Sequence, residues 1–403
     1  MNTMLRFEIN KITKKKMNKI LLTVALLLAV LFSIFAINGV RYIDANGSVH
    51  KGIDSARLLS AQKNQWKGQL TPDIFAKIVE KDKEIKAKYS SEKGIPNDVY
   101  AQTMQSYMDI EYLINSMASK EGDYDPYVSS KLTKDKIRSI YEIRQSNIDQ
   151  IIKEEATTLE QQNYLKKLYQ KNEIPFNYEA AEAWKAVSLL GEEYGLVIVL
   201  LVGFLAAGIF ADEFQYKADA IFFSTKCGRT KAVHAKIRAG LVMTTLVYWI
   251  CMAVFTVISF GVMGLSGVHT SIQTEWCYGI YAITYGQYYL IILLSGFIAS
   301  LLSASITMLL SAKFHSASIA ACIPFILFCV SPFLGRALPF HTFFNLTPDQ
   351  LMNVCNSIKN VIVYQMGKYV FRPIPFVMVL YLTLAMIILP LTYGIYHRYM
   401  MKD

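Results

Sequence analysis

Long uncharged apolar runs alternate with segments in which charges recur every few positions, and this alternation divides the chain into parts. A helix needs about 20 mostly apolar residues to cross the hydrocarbon core of a bilayer. Ile20 to Ile37 meets that need and predicts a first span over 20–37. The apolar region of a signal peptide is the alternative, but Ile34-Phe35-Ala36-Ile37-Asn38 is a poor small-residue cleavage site, which favours an uncleaved anchor. Tyr194 to Ala211 predicts a second span, with Leu196 to Val202 as its lipid-like centre. The uncharged runs Ala239 to Val268 and Trp276 to Ala312 each exceed one membrane thickness, so spans are expected at 239–263 and 286–312 with extramembrane chain beside them. A fifth is expected at 316–335 and a sixth at 373–397. Residues 336–372 are too polar for a span and too apolar for an ordinary loop, which suits a segment partly dipped into the membrane and buried in protein.

The charged stretches have their own periodicity. Leu5, Ile9 and Ile12 fall at helical spacing within the basic residues 1–19 and predict an amphipathic helix on the membrane surface. Residues 38–190 hold three helical stripes. The first is Ile74, Phe75, Ile78, Val79, Ile85 and Tyr89, opened by Thr71-Pro72. The second is Tyr100, Met104, Tyr107, Met108 and Ile114. The third, longer one runs from Ile137 to Leu159. A mostly helical soluble domain with its own small core follows. The expected architecture is an all-α polytopic membrane protein with six spans and a helical extracytoplasmic insert between the first two.

Charge then sets the orientation. The chain of 403 residues has only 18% charged residues, against about 25% in soluble domains, yet its net charge is +10. The basic residues gather on one side: 1–19, then Lys217, Lys226, Arg229, Lys231, Lys236 and Arg238, then Lys313, then Arg398 and Lys402. The positive-inside rule therefore places both termini in the cytoplasm of a multi-pass protein of the cell membrane and residues 38–190 outside it. This placement favours a lipid partner over nucleic acid.

The segment from Asp212 to Lys236, on the cytoplasmic side, begins with acids at a helix end, continues as a short amphipathic stretch, turns at Cys227-Gly228 and re-enters through a basic helix start. Such a stretch is either an inert interfacial connector or a lever on which a soluble partner pushes. The segment resembles the first cytoplasmic loop of ABC-2 type transporter permeases, which carry a glutamate after the second span, a coupling helix, a Ser/Gly-Arg turn and a lysine opening the third span. The matching positions are Glu213, the stretch Ile221, Phe222, Ser224 and Thr225, then Gly228 and Arg229, and Lys236. The chain departs from the pattern at Lys217-Ala218, where the family often has glycine, at Lys226 near its usual proline, and in the length of the insert.

The resemblance implies a permease subunit of an ATP-driven exporter. No GxxxxGK[ST] phosphate loop is present, so ATP and magnesium would bind a separate ATPase subunit and this chain is expected to be no enzyme. A second copy or a paralogue would complete the pathway. The spans contain almost no ionisable residues, which counts against proton-coupled transport. Thr244, Thr245, Tyr248, Ser303, Ser305 and Thr307 are the candidates to line a path for a hydrophobic or amphipathic, lipid-like or peptide cargo, or else simply pack helices.

Other features carry less. The six cysteines show no CxxC spacing. Cys277 and Cys355 fall on the predicted outer side, where a disulfide and two free thiols are both compatible with the sequence. His50, His269 and His341 lack ligand spacing, Asp123-Tyr124-Asp125 lacks the rest of a calcium loop, and no metal site is expected. The rival reading from another class is a membrane-anchored sensor or scaffold whose outer domain binds a ligand or an envelope partner.

Overall fold

The structure, a computed structural model, describes residues 3–89, 94–120, 123–218, 230–333 and 346–398. It is mostly helical, and five of its helices are long and apolar enough to cross a membrane: α2 (Lys16–Gly39), α11 (Glu182–Gln215), α12 (Lys231–Met263), α13 (Tyr285–Phe314) and α16 (Pro373–Arg398). The chain therefore reads as a multi-pass membrane protein. The apolar windows of α11 and α13 are 67% and 61% buried, against 28% for α2 and α16. The first two thus form the spine of the bundle, while α2 and α16 keep most of their apolar surface on its outside, where Leu27, Phe35, Val379 and Ile387 are exposed. Small residues let the spine close. A Cβ on Gly203 of α11 would meet Pro324 Cγ at 2.8 Å and Ser303 Oγ at 3.0 Å, so three segments approach there.

The stretch expected as the fifth span is a shorter apolar helix. It runs from Ala317 to Phe333, with α14 at Ala317–Phe325 followed by a π-helical turn at Ile326–Val330. Pro324 lies inside it, and a proline removes one ladder hydrogen bond and kinks a helix. Its described part is about 25 Å long at 1.5 Å per residue. Residues 334–345 lie outside the described residues.

The N-terminal helix α1 (Thr3–Lys14) breaks from α2 at Lys15, whose φ of −61° and ψ of 125° are extended. Asn18 Nδ2 donates to the Ile12 carbonyl at 2.9 Å and closes this elbow. Ile12 is buried, and Leu5 and Ile9 pack beside it on the bundle core. One end of the bundle gathers α1, the C-terminal ends of α11, α13 and α16, and the start of α12. The Phe214 and His315 rings lie 3.7 Å apart there, and His234 stacks on Tyr393 at 4.5 Å.

The insert occupies the opposite end. Its helices are α3 (Ser55–Lys63), α4 (Pro72–Lys88), α5 (Asn97–Thr103), α6 (Met108–Ala118), α7 (Val128–Lys131), α8 (Lys134–Arg138), α9 (Ile140–Glu155) and α10 (Leu159–Tyr169). Phe75, Ile78, Ile110, Ile114, Ile140, Ile148 and Ile151 are all buried. The second expected stripe is two helices rather than one, α5 and α6. Between them Gln105 pairs with a strand edge, accepting from Ile43 N and donating to Ile43 O, both at 2.9 Å. The third stripe is likewise divided. Thr158 caps α10, its side chain accepting from Gln161 N.

The fold is mostly helical as expected, and among the described residues it adds three small antiparallel ladders: β1 (Arg41–Ile43) with β2 (Val49–Lys51), β3 (Gly68–Gln69) with β4 (Asn177–Tyr178), and β5 (Tyr364–Met366) with β6 (Tyr369–Phe371). The β5–β6 turn begins at Gly367, whose φ of +59° is the left-handed value a two-residue hairpin needs. The β3–β4 ladder brings Gly68 and Gln69 beside Tyr178 and Asn177, near the end of the insert.

Clasps hold the insert to the bundle. Arg144 Nε donates to the Cys277 carbonyl at 2.9 Å, Tyr169 OH donates to the Tyr278 carbonyl at 2.7 Å, and Tyr278 OH donates to the Ser119 carbonyl at 2.7 Å. The segment after residue 345 is tucked between helices. Ser295 Oγ donates to the Leu351 carbonyl, Tyr381 OH to the Leu346 carbonyl, and Ser331 Oγ to Asp349 Oδ1 at 2.6 Å. Hydroxyls from three apolar segments thus satisfy an irregular, partly buried stretch. The short helix α15 (Val354–Lys359) follows it.

Candidate functional site

The end of the bundle where α1 sits holds a buried knot of three acids and three lysines. Glu213, in the last turn of α11, receives Lys236 Nζ from the first turns of α12 and Lys11 Nζ from α1, each 2.6 Å from the same oxygen, Oε1. Lys236 Nζ also donates to the Ile209 carbonyl at 2.9 Å and lies 3.5 Å from Glu8 Oε2. Lys15 Nζ donates to both oxygens of Asp212, at 2.8 and 3.1 Å. Lys236 is completely buried, and Glu8, Asp212 and Glu213 are each less than a tenth exposed. A charge at that depth is sustained only by opposite charge and hydrogen bonds, and the formal charges of the six groups cancel. Burial opposes the charge of Lys11, yet the hydrogen bond and charge of Glu213 raise its pKa overall.

Local structure aims these side chains. Glu8 shares a helical face with Leu5, Ile9 and Ile12, and this face turns inward. The end of α11 is a Schellman motif: Ala218 N donates to Glu213 O at 2.8 Å and Lys217 N to Phe214 O at 3.1 Å, with Lys217 at a φ of +55°. The chain thus leaves α11 sharply, directly after the acids, and the glycine-like backbone falls on the position where the resembled pattern often has glycine.

Of the residues matched to that pattern, Glu213 and Lys236 are in direct contact. Ile221, Phe222, Ser224, Thr225, Gly228 and Arg229 lie outside the described residues. Glu8 escaped the sequence reading, although an acid on the apolar face of an otherwise basic helix is a legible signal.

The candidate path residues do not converge on a common space. Thr244 and Thr245 donate to carbonyls of their own helix, at Gly240 and Leu241. Tyr248 OH donates to Leu293 O at 2.7 Å and Ser303 Oγ to Val199 O at 2.9 Å, each bridging two helices. Ser305 and Thr307 are buried in α13. The Ser305 and Thr307 hydroxyls have no hydrogen-bond partner among the described residues.

Cys277 and Cys355 are not joined by a disulfide. Cys277 is buried beneath Arg144, whereas Cys355 opens α15, where its N–H donates to Glu192 Oε1 at 2.9 Å. Separate anchors hold the two backbones.

A second polar network sits where the insert meets the bundle. Lys63 Nζ bridges Asp109 Oδ1 at 2.7 Å and Glu182 Oε1 at 2.8 Å, and Lys185 Nζ lies 3.2 Å from Asp109 Oδ2 and 3.9 Å from Glu275 Oε2. Burial opposes the charge on both Lys63 and Asp109. The surrounding opposite charges prevail, raising the pKa of Lys63 and holding that of Asp109 well below the usual carboxylate range. The five partners come from α3, α6, α11 and the loop before α13, a dispersion that no sequence spacing announces.

Comparison of the chain with protein-family models, curated proteins and solved structures finds no match.

Proposed function

We propose that the chain is the membrane subunit of an ATP-driven exporter of the ABC-2 type, with both termini and the 212–236 segment in the cytoplasm and residues 38–190 outside. The stretch expected at 316–335 is the fifth of the six spans in this reading. A separate ATPase carries ATP and magnesium, a second copy or paralogue completes the pathway, and the cargo is hydrophobic or amphipathic.

One observation carries the reading. Glu213, Lys236 and Lys11 tie the end of α11, the start of α12 and the N-terminal helix into a single buried unit. A push on residues 219–229, or on α1, would be delivered to α11 and α12 together rather than absorbed by a slack connector. Catalysis by this chain forms no part of the proposal. The transmitted quantity is displacement, and a bistable packing of helices converts small shifts into rearrangements.

The test is co-purification with a separate ATPase, followed by ATP-stimulated transport in vesicles. Replacing Arg229 by Gln should leave the complex assembled while ATP hydrolysis and transport become uncoupled. Normal coupling in a chain lacking residues 219–226 would overturn the assignment.

A further inference from the structure

At the opposite end of the molecule, a cavity of about 570 Å³ opens between α2, α11, the loop before α13 and α15. This volume falls within the range of small-molecule sites, about 300–1,000 Å³. Its two sides differ in chemistry. Toward the bundle the wall is apolar, with Phe35 of α2 and Leu189 and Leu190 of α11. Phe35 and Leu189 are 52% and 57% exposed, so this wall is open on the outside of the bundle. Toward the insert the wall carries Arg41, directly after α2, and Lys359, at the end of α15.

The charges on that wall are unequally satisfied. Glu182 is held by Lys63, and Glu275 accepts from Tyr285 OH and faces Lys185. Arg41 and Lys359 are exposed, and neither forms an ion pair among the described residues. The Lys359 ammonium lies 5.4 Å from the centre of the Trp276 ring, which orients it against another wall of the cavity. Two exposed cations outside any close ion pair, with Lys359 acting on Glu192 only at longer range, border an apolar cleft, and this pairing matches one class of ligand.

We propose that this cavity binds an anionic amphiphile, with its phosphate or carboxylate head between Arg41 and Lys359 and its acyl chain along Phe35, Leu189 and Leu190. The inference rests on the exporter reading in that it assigns the outer-side cargo or ligand site. Binding itself needs neither the ATPase nor the inner knot, so the two fail separately.

The experiment uses the full chain in phosphatidylcholine nanodiscs doped with phosphatidylglycerol brominated on its acyl chains. Bromine quenches tryptophan at short range, and Trp276 borders the cavity. The control is brominated phosphatidylcholine, which has the same chains and no net charge. Saturable quenching should occur at a dose about tenfold lower for the anionic lipid, the ratio that about 1.4 kcal/mol of charge-assisted contact provides. Trp276→Phe should remove the saturable component. Arg41→Gln with Lys359→Gln should bring the two lipids to equal doses, and Leu189→Phe, which fills the apolar wall without adding a tryptophan, should weaken binding of both. Equal doses in the unaltered chain would overturn the proposal, as would a preference unchanged in the double variant or quenching that survives Trp276→Phe. The cation pair is at the surface, so the double variant is expected to fold. If it does not, loss of the preference on raising the salt concentration decides for the proposal, and its persistence decides against.

Discussion

Glu213 and Lys236 are 2.6 Å apart across the ends of a loop, one closing α11 and the other opening α12, and neither is more than a twentieth exposed. Breaking a buried pair from one side strands a charge, at a cost of about 3–5 kcal/mol, whereas removing both charges together is often close to neutral. Glu213→Gln and Lys236→Met alone should therefore each lower the thermal midpoint of the purified chain strongly. The double variant should recover much of the loss, less completely because Lys11 and Glu8 keep their charges. Additive losses in the double variant would show that the pair is not coupled.

Lys217 occupies a left-handed conformation that glycine adopts without penalty. A non-glycine residue there bears roughly 1–2 kcal/mol of strain. Lys217→Gly is expected to keep or raise stability by up to about 1 kcal/mol, and Lys217→Val to lower it. Thermal unfolding in detergent reads both.

Packing along the spine is tight at Gly203, where an added Cβ would meet Pro324 and Ser303 at 3.0 Å or less. Gly203→Val should force α14 away from α11 and cost about 1–3 kcal/mol. Gly261, which has nothing within 4 Å of an added Cβ, provides the control, and Gly261→Ala should be tolerated.

The Lys63–Asp109 network gives the junction of insert and bundle a direction in pH. The folded pKa of Asp109 is depressed, so its stabilising contribution is complete above the unfolded value of about 3.9 and is lost as pH falls through the folded one. Hydrogen exchange at α3 and α6 should therefore be insensitive to this group from neutral pH to about 5 and should rise only in stronger acid. Asp109→Asn should remove that acid step and raise exchange at neutral pH, because Lys63 and Lys185 then lose a shared carboxylate.

How far the sequence discloses such features depends on whether they are local. Apolar runs mark the five long helices because lipid demands length and composition within one segment, and the Glu213–Lys236 pair is legible because both residues flank one loop. The break between α5 and α6 is hidden for a physical reason. Met104, Tyr107, Ile110 and Ile114 all turn to the same core, so the 3.6-residue rhythm continues across a turn set by Gln105 and a distant strand. The junction of Lys63, Asp109, Glu182, Lys185 and Glu275 has no rhythm at all, since folding alone brings its members together.

The opposed placement of the two polar regions is the premise of the whole account, and labelling from outside tests it most directly. In a chain whose six cysteines are replaced by serine, a single cysteine is introduced at Tyr124 or at Lys217, both exposed in the structure. A membrane-impermeant maleimide applied to intact cells should modify Tyr124→Cys at once and Lys217→Cys only after the membrane is opened. Equal labelling of both positions in intact cells would contradict the account.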